Sequence, residues 1–303
     1  MARSLLDRRR LGLGNAAQFI GASLIWSSTW LVIKGQLGEV PLAWSVAYRF
    51  ILAGTLMIGF CLATGRWRRP SARVHLFALV SGVAQFALNY NLVYAAEAHL
   101  TSGLVAVIFA LVIVPNAILA RVFLDVPITL RFVVGAALAT GGLGLIFARD
   151  LVQPGFDGAA TGYGLMLAVL ATLSASVVNV MQANSFSRTL PAMPTLGLSM
   201  LYGGCLAALY AATVAGPPVF DLRPAYWLGL LVLAVLGSIV AFSLYYNLIQ
   251  KIGPGRAGYV NVVVPVLAMA LSTVFENYIW SVEAVVGTAL AMIGLVIALR
   301  GRT

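Results

Sequence analysis

The sequence contains very few charged residues. Asp, Glu, Lys and Arg make up 9% of its 303 residues, whereas soluble domains carry about 25%. Hydrophobic residues make up 61%, and apolar stretches of roughly 20 residues, long enough to cross a bilayer as helices, recur along the chain. The composition therefore excludes an ordinary soluble domain and predicts an all-α integral membrane protein.

Cysteine, histidine and acidic residues are also scarce. The two cysteines, Cys61 and Cys205, lie in apolar stretches, which indicates buried thiols rather than a disulfide. The two histidines and nine acidic residues fall in loops or near segment ends. The sequence contains neither an ATP-binding loop nor a nucleic-acid-binding motif. We therefore expect no cofactor, no metal and no nucleic-acid partner, and any transport would be secondary or passive.

Ten apolar segments can be drawn, with boundaries good to ~2–4 residues. They cover residues 16–36, 42–64, 74–95, 99–120, 129–148, 160–184, 194–215, 225–248, 256–275 and 281–299. Of the 19 Lys and Arg residues, most fall on one side of the resulting alternation, together with both termini. Basic residues concentrate in cytoplasmic loops, so both termini are predicted to be cytoplasmic. Residues 1–15 form the cytoplasmic N-terminal segment.

Two stretches of the sequence each recur in a similar form about 150 residues later. FALNYNL at residues 86–92 returns as FSLYYNL at 242–248, and GAALATGGL at 135–143 returns as GTALAMIGL at 287–295. Such self-similarity indicates an internal repeat.

The repeat divides the chain into two five-helix halves, residues 16–150 and 151–303. Because five is odd, the second half enters the membrane inverted relative to the first. Inverted repeats are typical of secondary transporters, in which they provide one conformation open to each side. The sequence thus favours alternating-access transport over a channel, an intramembrane enzyme or a duplication without functional meaning.

Segments two and nine carry a family resemblance. Segment two contains Tyr48-Arg49-Phe50 followed by Leu52-Ala53, and segment nine reads YVNVVVPVLAM from Tyr259 before Phe275-Glu276. With the two five-helix halves, these residues resemble the drug/metabolite transporter superfamily, EamA type, and within it the bacterial aromatic amino acid exporters. The resemblance implies a central cavity lined by helices one, three, four, six, eight and nine. One departure is Asp125, where the family usually has Glu after segment four.

The sharpest candidates for substrate contact are Trp26 and Trp30. They lie four residues apart and therefore share a helix face. Trp26 falls near the middle of segment one, where interfacial tryptophan is not expected. Their indoles either stack on a flat or cationic substrate or simply fill a helix interface.

Polar and aromatic residues within other segments complete the predicted substrate site. They are Gln85, Asn89, Tyr90, Asn91, Tyr94, Asn179, Gln182, Tyr246, Asn247, Tyr259 and Asn261. An amide in hydrocarbon is costly unless it faces other helices or water. For Asn91 and Asn247, near segment ends, hydrogen bonding between helices or at a gate is the alternative to substrate contact.

Arg49 is the one basic residue placed inside a segment, and it is a candidate charge anchor. It could hold a substrate carboxylate or pair with Glu97 or Glu276. The alternative is extension of its side chain to the outer interface.

These observations predict a multi-pass transporter of the bacterial inner membrane. We expect it to export amino acids, aromatic ones above all, or similar small metabolites. Transport is expected to be facilitative or by exchange rather than tightly coupled to protons, because no acidic residue or histidine lies near a segment midpoint. Membrane lipid and a small-molecule substrate are the expected partners of a monomer or weak dimer. Export of cationic drugs or other metabolites is the alternative.

Overall fold

The structure is a computed structural model that describes residues 2–150, 157–252 and 260–300. Across these ranges every long element is a helix. In chain order the helices are α1 (Ala2–Gly35), α2 (Leu42–Ala63), α3 (Ala72–Ser81, Gly82–Asn89 and Tyr90–Glu97), α4 (Ser102–Ala110 and Ile113–Leu124), α5 (Leu130–Asp150), α6 (Gly158–Ala183), α7 (Ala192–Val214), α8 (Pro224–Val232, Leu233–Val240 and Ala241–Ile252), α9 (Val260–Phe275) and α10 (Val282–Arg300). A short 3₁₀ turn, Ser185–Thr189, precedes α7.

Each helix corresponds to one predicted apolar segment. The largest difference is at α1, which begins at Ala2 rather than at residue 16. Residues 2–15 contain no proline and are rich in Leu and Arg, which are strong helix formers. The stretch expected as a separate N-terminal segment is therefore helical and continuous with the first apolar stretch.

Local sequence signals explain where several helices begin. Pro224 occupies the first turn of α8, where its missing N–H costs nothing. Ser71 caps α3 by accepting from the Val74 amide, and Asp157 caps α6 by accepting from the Ala160 amide.

Seven helices in the described ranges are long and apolar enough to cross a membrane. These are α1 to α4 and α6 to α8. The apolar stretches of α5, α9 and α10 are shorter, at Leu130–Leu145, Val263–Phe275 and Val282–Ala298. Large apolar side chains are also exposed on the outside of the bundle, among them Leu76 and Phe123. Such a surface suits lipid rather than water.

Two helices contain a π-helical segment of eight residues. It covers Gly82–Asn89 in α3 and Leu233–Val240 in α8, and the two segments start 151 positions apart. The two motif copies start 156 positions apart, at Phe86 and Phe242. The first copy therefore starts inside its π-helical segment and the second starts just after its own. Both phenylalanines are buried, and Phe242 also lines a central cavity.

Glycines allow α5 and α10 to pack with their backbones in contact. A Cβ atom on Gly135 would lie 2.5 Å from the Gly294 carbonyl oxygen, and one on Gly142 would lie 2.4 Å from the Gly287 oxygen. Because the later residue of α5 meets the earlier residue of α10, the two helices run antiparallel. The repeated glycines are thus packing positions, as small residues in membrane helices commonly are.

The α2–α7 pair repeats this arrangement. A Cβ on Gly54 would lie 2.5 Å from the Leu201 amide nitrogen, and one on Gly204 would lie 2.6 Å from the Ile51 nitrogen. These helices are also antiparallel and in close contact. Both tight pairs leave the remaining six helices to surround the centre of the bundle.

Candidate functional site

A central cavity lies between α1, α3, α4, α6, α8 and α9. Its empty space, including the part open to solvent, is about 900 Å³. Eight of the predicted site residues line it: Trp26, Trp30, Gln85, Asn89, Tyr90, Asn179, Tyr246 and Asn261. These residues are distant in sequence, and the helix packing brings them to one space.

Aromatic rings from α1 and α8 form one wall of the cavity. The Trp26 ring centroid lies 5.0 Å from that of Tyr245 and 5.3 Å from that of Phe242. Tyr246 extends the wall, with its ring 5.8 Å from Phe242. Trp26 is fixed by a 3.3 Å hydrogen bond from its Nε1 to the Gly237 carbonyl. The wall is therefore a preformed surface against which a flat apolar group can pack.

Trp30 and Phe109 form a second aromatic surface. Their ring centroids are 5.6 Å apart, and both residues line the cavity. Trp30 is 8% exposed, yet its indole N–H has no hydrogen-bond partner among the described residues. A buried unpaired donor is costly. A ligand acceptor in the cavity would relieve that cost.

Amides from α3 form a polar part of the lining. The Asn89 amide donates to the Ala171 carbonyl of α6 at 2.7 Å, and the Gln85 amide donates to Asn89 Oδ1 at 3.3 Å. Both residues lie in the π-helical segment of α3, and such segments are frequent at functional sites. These amides join α3 to α6 while facing the cavity.

Asn179 belongs to a second polar cluster, between α6 and α4. Its amide donates to Asn116 Oδ1 at 3.3 Å, and the Ser176 hydroxyl donates to the same oxygen at 2.7 Å. Asn179 lines the cavity, but Asn116 and Ser176 do not. Asn179 thus has one partner in the bundle and one face toward the cavity.

Arg49 lies behind the cavity wall, 1% exposed. Its Nε donates to Ser238 Oγ at 3.1 Å, and its guanidinium carbon lies 4.5 Å from the Tyr90 ring centroid. Nη1 has no partner, and no carboxylate among the described residues lies within 4 Å of the group. The side chain does not extend to an interface and pairs with neither expected glutamate. The guanidinium is separated from the cavity by the Tyr90 ring, which lines it.

The other predicted site residues do not line the cavity. Asn91 donates to the Ala87 carbonyl at 2.7 Å, a bond within its own helix rather than the expected bond between helices. Tyr94 is buried in the core, Gln182 lies near the end of α6, and Asn247 is exposed. Tyr259 lies outside the described residues.

Three lining aromatics were not predicted: Phe109, Phe242 and Tyr245. The last two stand inside the repeated FSLYYNL stretch, so the motif itself contained the signal. Phe109 lies in a uniformly apolar part of α4, and nothing in its sequence neighbourhood distinguishes a lining residue from a core residue.

Comparison with known proteins fits this architecture. The chain matches the EamA-like transporter family over residues 16–148 and again over residues 162–300. The chain belongs to the EamA-like transporter family. It is therefore a multi-pass membrane protein, and the expected resemblance to the drug/metabolite transporter superfamily is confirmed at this level.

Bacterial relatives of this EamA-like protein include YedA, which is a transporter by name, and PagO. It is 27% identical to the uncharacterized inner membrane transporter YedA of Escherichia coli K12, over 82% of this chain and 79% of YedA. It is 24% identical to the protein PagO of Salmonella typhimurium, over 93% of this chain and 90% of PagO. The expected location in the bacterial inner membrane is confirmed.

A solved crystal structure shares the fold. It superposes with a TM-score of 0.69 and covers 95% of this chain and 97% of its own, at 20% identity. At that identity the likeness concerns the fold alone.

Proposed function

We propose that this EamA-like protein exports amino acids, aromatic ones above all, by carrying them through the central cavity. The observation on which this rests is the cavity lining itself. It combines two aromatic surfaces, a row of amides and an unpaired indole N–H in one space. A small amphipathic molecule with a flat apolar group and a hydrogen-bond acceptor matches those features.

Charge favours a substrate with a carboxylate. The described lining contains no carboxylate and no ammonium group. The nearby positive charge is Arg49, which lies against the Tyr90 ring. A substrate carboxylate would be attracted by that charge and could accept from the Trp30 N–H. Export of cationic drugs is the alternative, and Arg49 disfavours it because like charges repel.

The carrier mechanism follows from a second part of the proposal, that the two halves are inverted repeats. The close backbone contacts between α5 and α10 support this inverted arrangement. The α5–α10 contact between Gly135 and Gly294 has a counterpart between Gly142 and Gly287, at the positions that a 152-residue shift exchanges. Reciprocal contacts of this kind are expected from a twofold axis between the halves.

We propose ten membrane crossings on this basis, with the repeats at residues 16–150 and 151–303. The residues before the first repeat and both termini would lie in the cytoplasm, as the distribution of Lys and Arg predicts. Two inverted halves would have two related conformations, each opening the cavity to one side. That is alternating access.

Counterflow in proteoliposomes tests the proposed function. Vesicles loaded with an unlabelled amino acid are diluted into a trace of radiolabelled phenylalanine, and label uptake is followed. A carrier for aromatic amino acids accumulates label transiently when phenylalanine or tryptophan is inside, and much less with a cationic aromatic dye inside.

The rival classes give different results. A channel would conduct ions without counterflow, and an intramembrane enzyme would convert the labelled compound chemically. Counterflow driven by the cationic dye but by no amino acid would contradict the proposed substrate class and leave the family assignment intact.

A further inference from the structure

Two glutamates from different helices meet at one hydroxyl group beside the cavity. Glu97 is the last residue of α3, Glu276 follows α9, and Ser102 is the first residue of α4. Ser102 Oγ lies 3.0 Å from Glu97 Oε2 and 3.0 Å from Glu276 Oε1. Glu97 is fully buried. Glu97 and Glu276, joined through the Ser102 hydroxyl, are called the carboxyl pair below.

The carboxyl pair has no direct counter-ion among the described residues. No Lys or Arg nitrogen lies within 4 Å of either carboxyl group. The Lys34 ammonium is close, but it donates to the main-chain carbonyls of Glu97 and Leu100, at 2.6 and 3.0 Å. A fully buried Glu97 carboxylate beside a second, half-buried carboxylate would be costly without a paired cation. A bound proton would remove one of the two charges.

The hydrogen bonds indicate which group holds that proton. Glu276 already accepts on both oxygens, from the Ser272 hydroxyl and from the Ser102 amide. Glu97 Oε1 is buried and has no partner among the described residues. Glu97 is therefore the carboxyl group with the fewest donors stabilising an ionised form.

A hydroxyl group carries one hydrogen, so Ser102 can donate to only one neighbour. Its Oγ nevertheless lies at hydrogen-bonding distance from both carboxyl groups. A protonated carboxyl group would supply the second hydrogen that this arrangement lacks. The arrangement that pairs the hydroxyl with both carboxyl groups runs in one direction: Glu97 Oε2–H donates to Ser102 Oγ, and the Ser102 hydroxyl donates to Glu276 Oε1.

We propose that the carboxyl pair binds one proton, carried on Glu97, and that the protein exchanges this proton for substrate. This extends the proposed transport function and depends on it. Binding converts the Glu97 carboxylate and a proton from solution into a neutral carboxyl group, and release is the reverse. With the proposed orientation, the carboxyl pair lies at the outer end of the bundle.

The position of the carboxyl pair connects it to the cavity. Ser102 Oγ lies 3.3 Å from the main-chain carbonyl of Trp30, whose side chain lines the cavity. The pair also holds together the ends of α3, α4 and α9, which form cavity walls. Loss of the proton would leave two carboxylates around one hydroxyl donor, so that repulsion replaces one hydrogen bond. Proton release would therefore loosen this end of the cavity.

The surrounding titratable groups come from three of the packed elements. Lys34 of α1, Tyr94 of α3 and Glu276 after α9 interact electrostatically with Glu97. The described part of α4 near Glu97 offers only the Ser102 hydroxyl. On α2, Arg49 faces Tyr90, and on α6, Tyr163 packs on His99.

The test compares two kinds of phenylalanine transport in proteoliposomes with the membrane potential held at zero. In the first, labelled phenylalanine is outside and the vesicle interior is about two pH units more acidic. Exchange of one proton per substrate permits accumulation of up to roughly 100-fold. In the second, counterflow is measured at equal pH. The variants are Glu97→Gln and Glu276→Gln, with Glu39→Gln, an exposed glutamate in the loop after α1, as matched control.

We expect wild type and Glu39→Gln to accumulate label under the pH gradient. Glu97→Gln and Glu276→Gln should lose that accumulation while counterflow persists, which also shows that they fold. Counterflow in wild type without any response to the pH gradient would overturn proton exchange and leave the transport function standing. Accumulation driven by a sodium gradient at equal pH would overturn it as well, in favour of a metal cation.

Infrared spectroscopy gives a test that is independent of transport. A protonated, buried carboxyl group gives a C=O stretching band that Glu97→Gln should remove and Glu39→Gln should keep. Absence of the band in wild type would overturn the proton site. Absence of counterflow with the band present would instead overturn the proposed function, and the exchange with it.

Discussion

The indole N–H of Trp26 donates to the carbonyl oxygen of Gly237, 3.3 Å away in the π-helical segment of α8. A widened turn leaves carbonyl groups free for such partners. The π-helical segment of α3 has a similar contact, because Ser174 of α6 donates to the Ala84 carbonyl at 2.6 Å. In both places, the first helix of one half is bonded to the third helix of the other.

Trp26→Ala should weaken phenylalanine counterflow. The change removes ring contacts with Phe242 and Tyr245 and the bond to Gly237. Aromatic contacts of this kind contribute about 0.5–1.5 kcal/mol each, so we expect the half-saturation concentration to rise roughly 10-fold. Trp67→Ala, outside the lining, is the control. Equal saturation curves for both variants would contradict the aromatic wall.

Arg49→Gln should reduce discrimination by charge. Wild type is expected to prefer phenylalanine over phenylalanine methyl ester, because only the free amino acid carries a carboxylate for the guanidinium to attract. The variant should lose about 10-fold of that preference in competition assays. Arg66→Gln, at an exposed arginine near Phe60, should keep it. Unchanged preference in Arg49→Gln would rule out Arg49 as the charge anchor.

Asn89 and Asn91 form a matched pair two residues apart. Asn89 lines the cavity and bonds to Ala171 of α6, whereas Asn91 bonds within its own helix. Asn89→Ala should therefore impair counterflow severalfold and lower the thermal midpoint, since it removes the bond to α6 and leaves the buried Gln85 amide without its Asn89 partner, at a cost of about 1–3 kcal/mol. Asn91→Ala should transport nearly as wild type does. The reverse order of effects would contradict the site.

Gly135→Ala should destabilise the protein without touching the cavity. A Cβ there would lie 2.4 Å from the Ala298 amide nitrogen, so α5 and α10 would have to separate. Overpacking typically costs about 1–3 kcal/mol, measurable as a lower thermal midpoint in detergent. Gly144→Ala in the same helix meets nothing within 4 Å and should be neutral. Equal thermal midpoints for Gly135→Ala and Gly144→Ala would contradict the close backbone contact between α5 and α10.

Hydropathy and charge were enough to predict the helices, because burial in lipid demands long apolar stretches with few breaks. Ten segments were expected, and the described residues contain ten helices at those places, although α1 extends back to Ala2. The number that crosses a membrane does not follow from these bounds alone. The apolar stretches of α5, α9 and α10 fall short of the usual length.

The cavity was only partly predictable. A polar residue in an apolar segment signals a site or a helix contact, and sequence cannot separate the two, as Asn89 and Asn91 show. An aromatic in an apolar segment gives even less signal, which is why Phe109 was missed. The π-helical segments have no simple sequence signature, yet one contains the lining residues Gln85 and Asn89 and the other contains Gly237, the partner of Trp26.

Saturation binding of radiolabelled phenylalanine to the purified protein tests the central claim, that this cavity holds an aromatic amino acid. Trp30→Phe removes the buried, unpaired N–H while keeping a ring, and Trp280→Phe makes the same change outside the cavity. We predict saturable binding in wild type and Trp280→Phe, and about 10-fold weaker binding in Trp30→Phe. Binding that is absent from wild type, or unchanged in Trp30→Phe, would contradict the account.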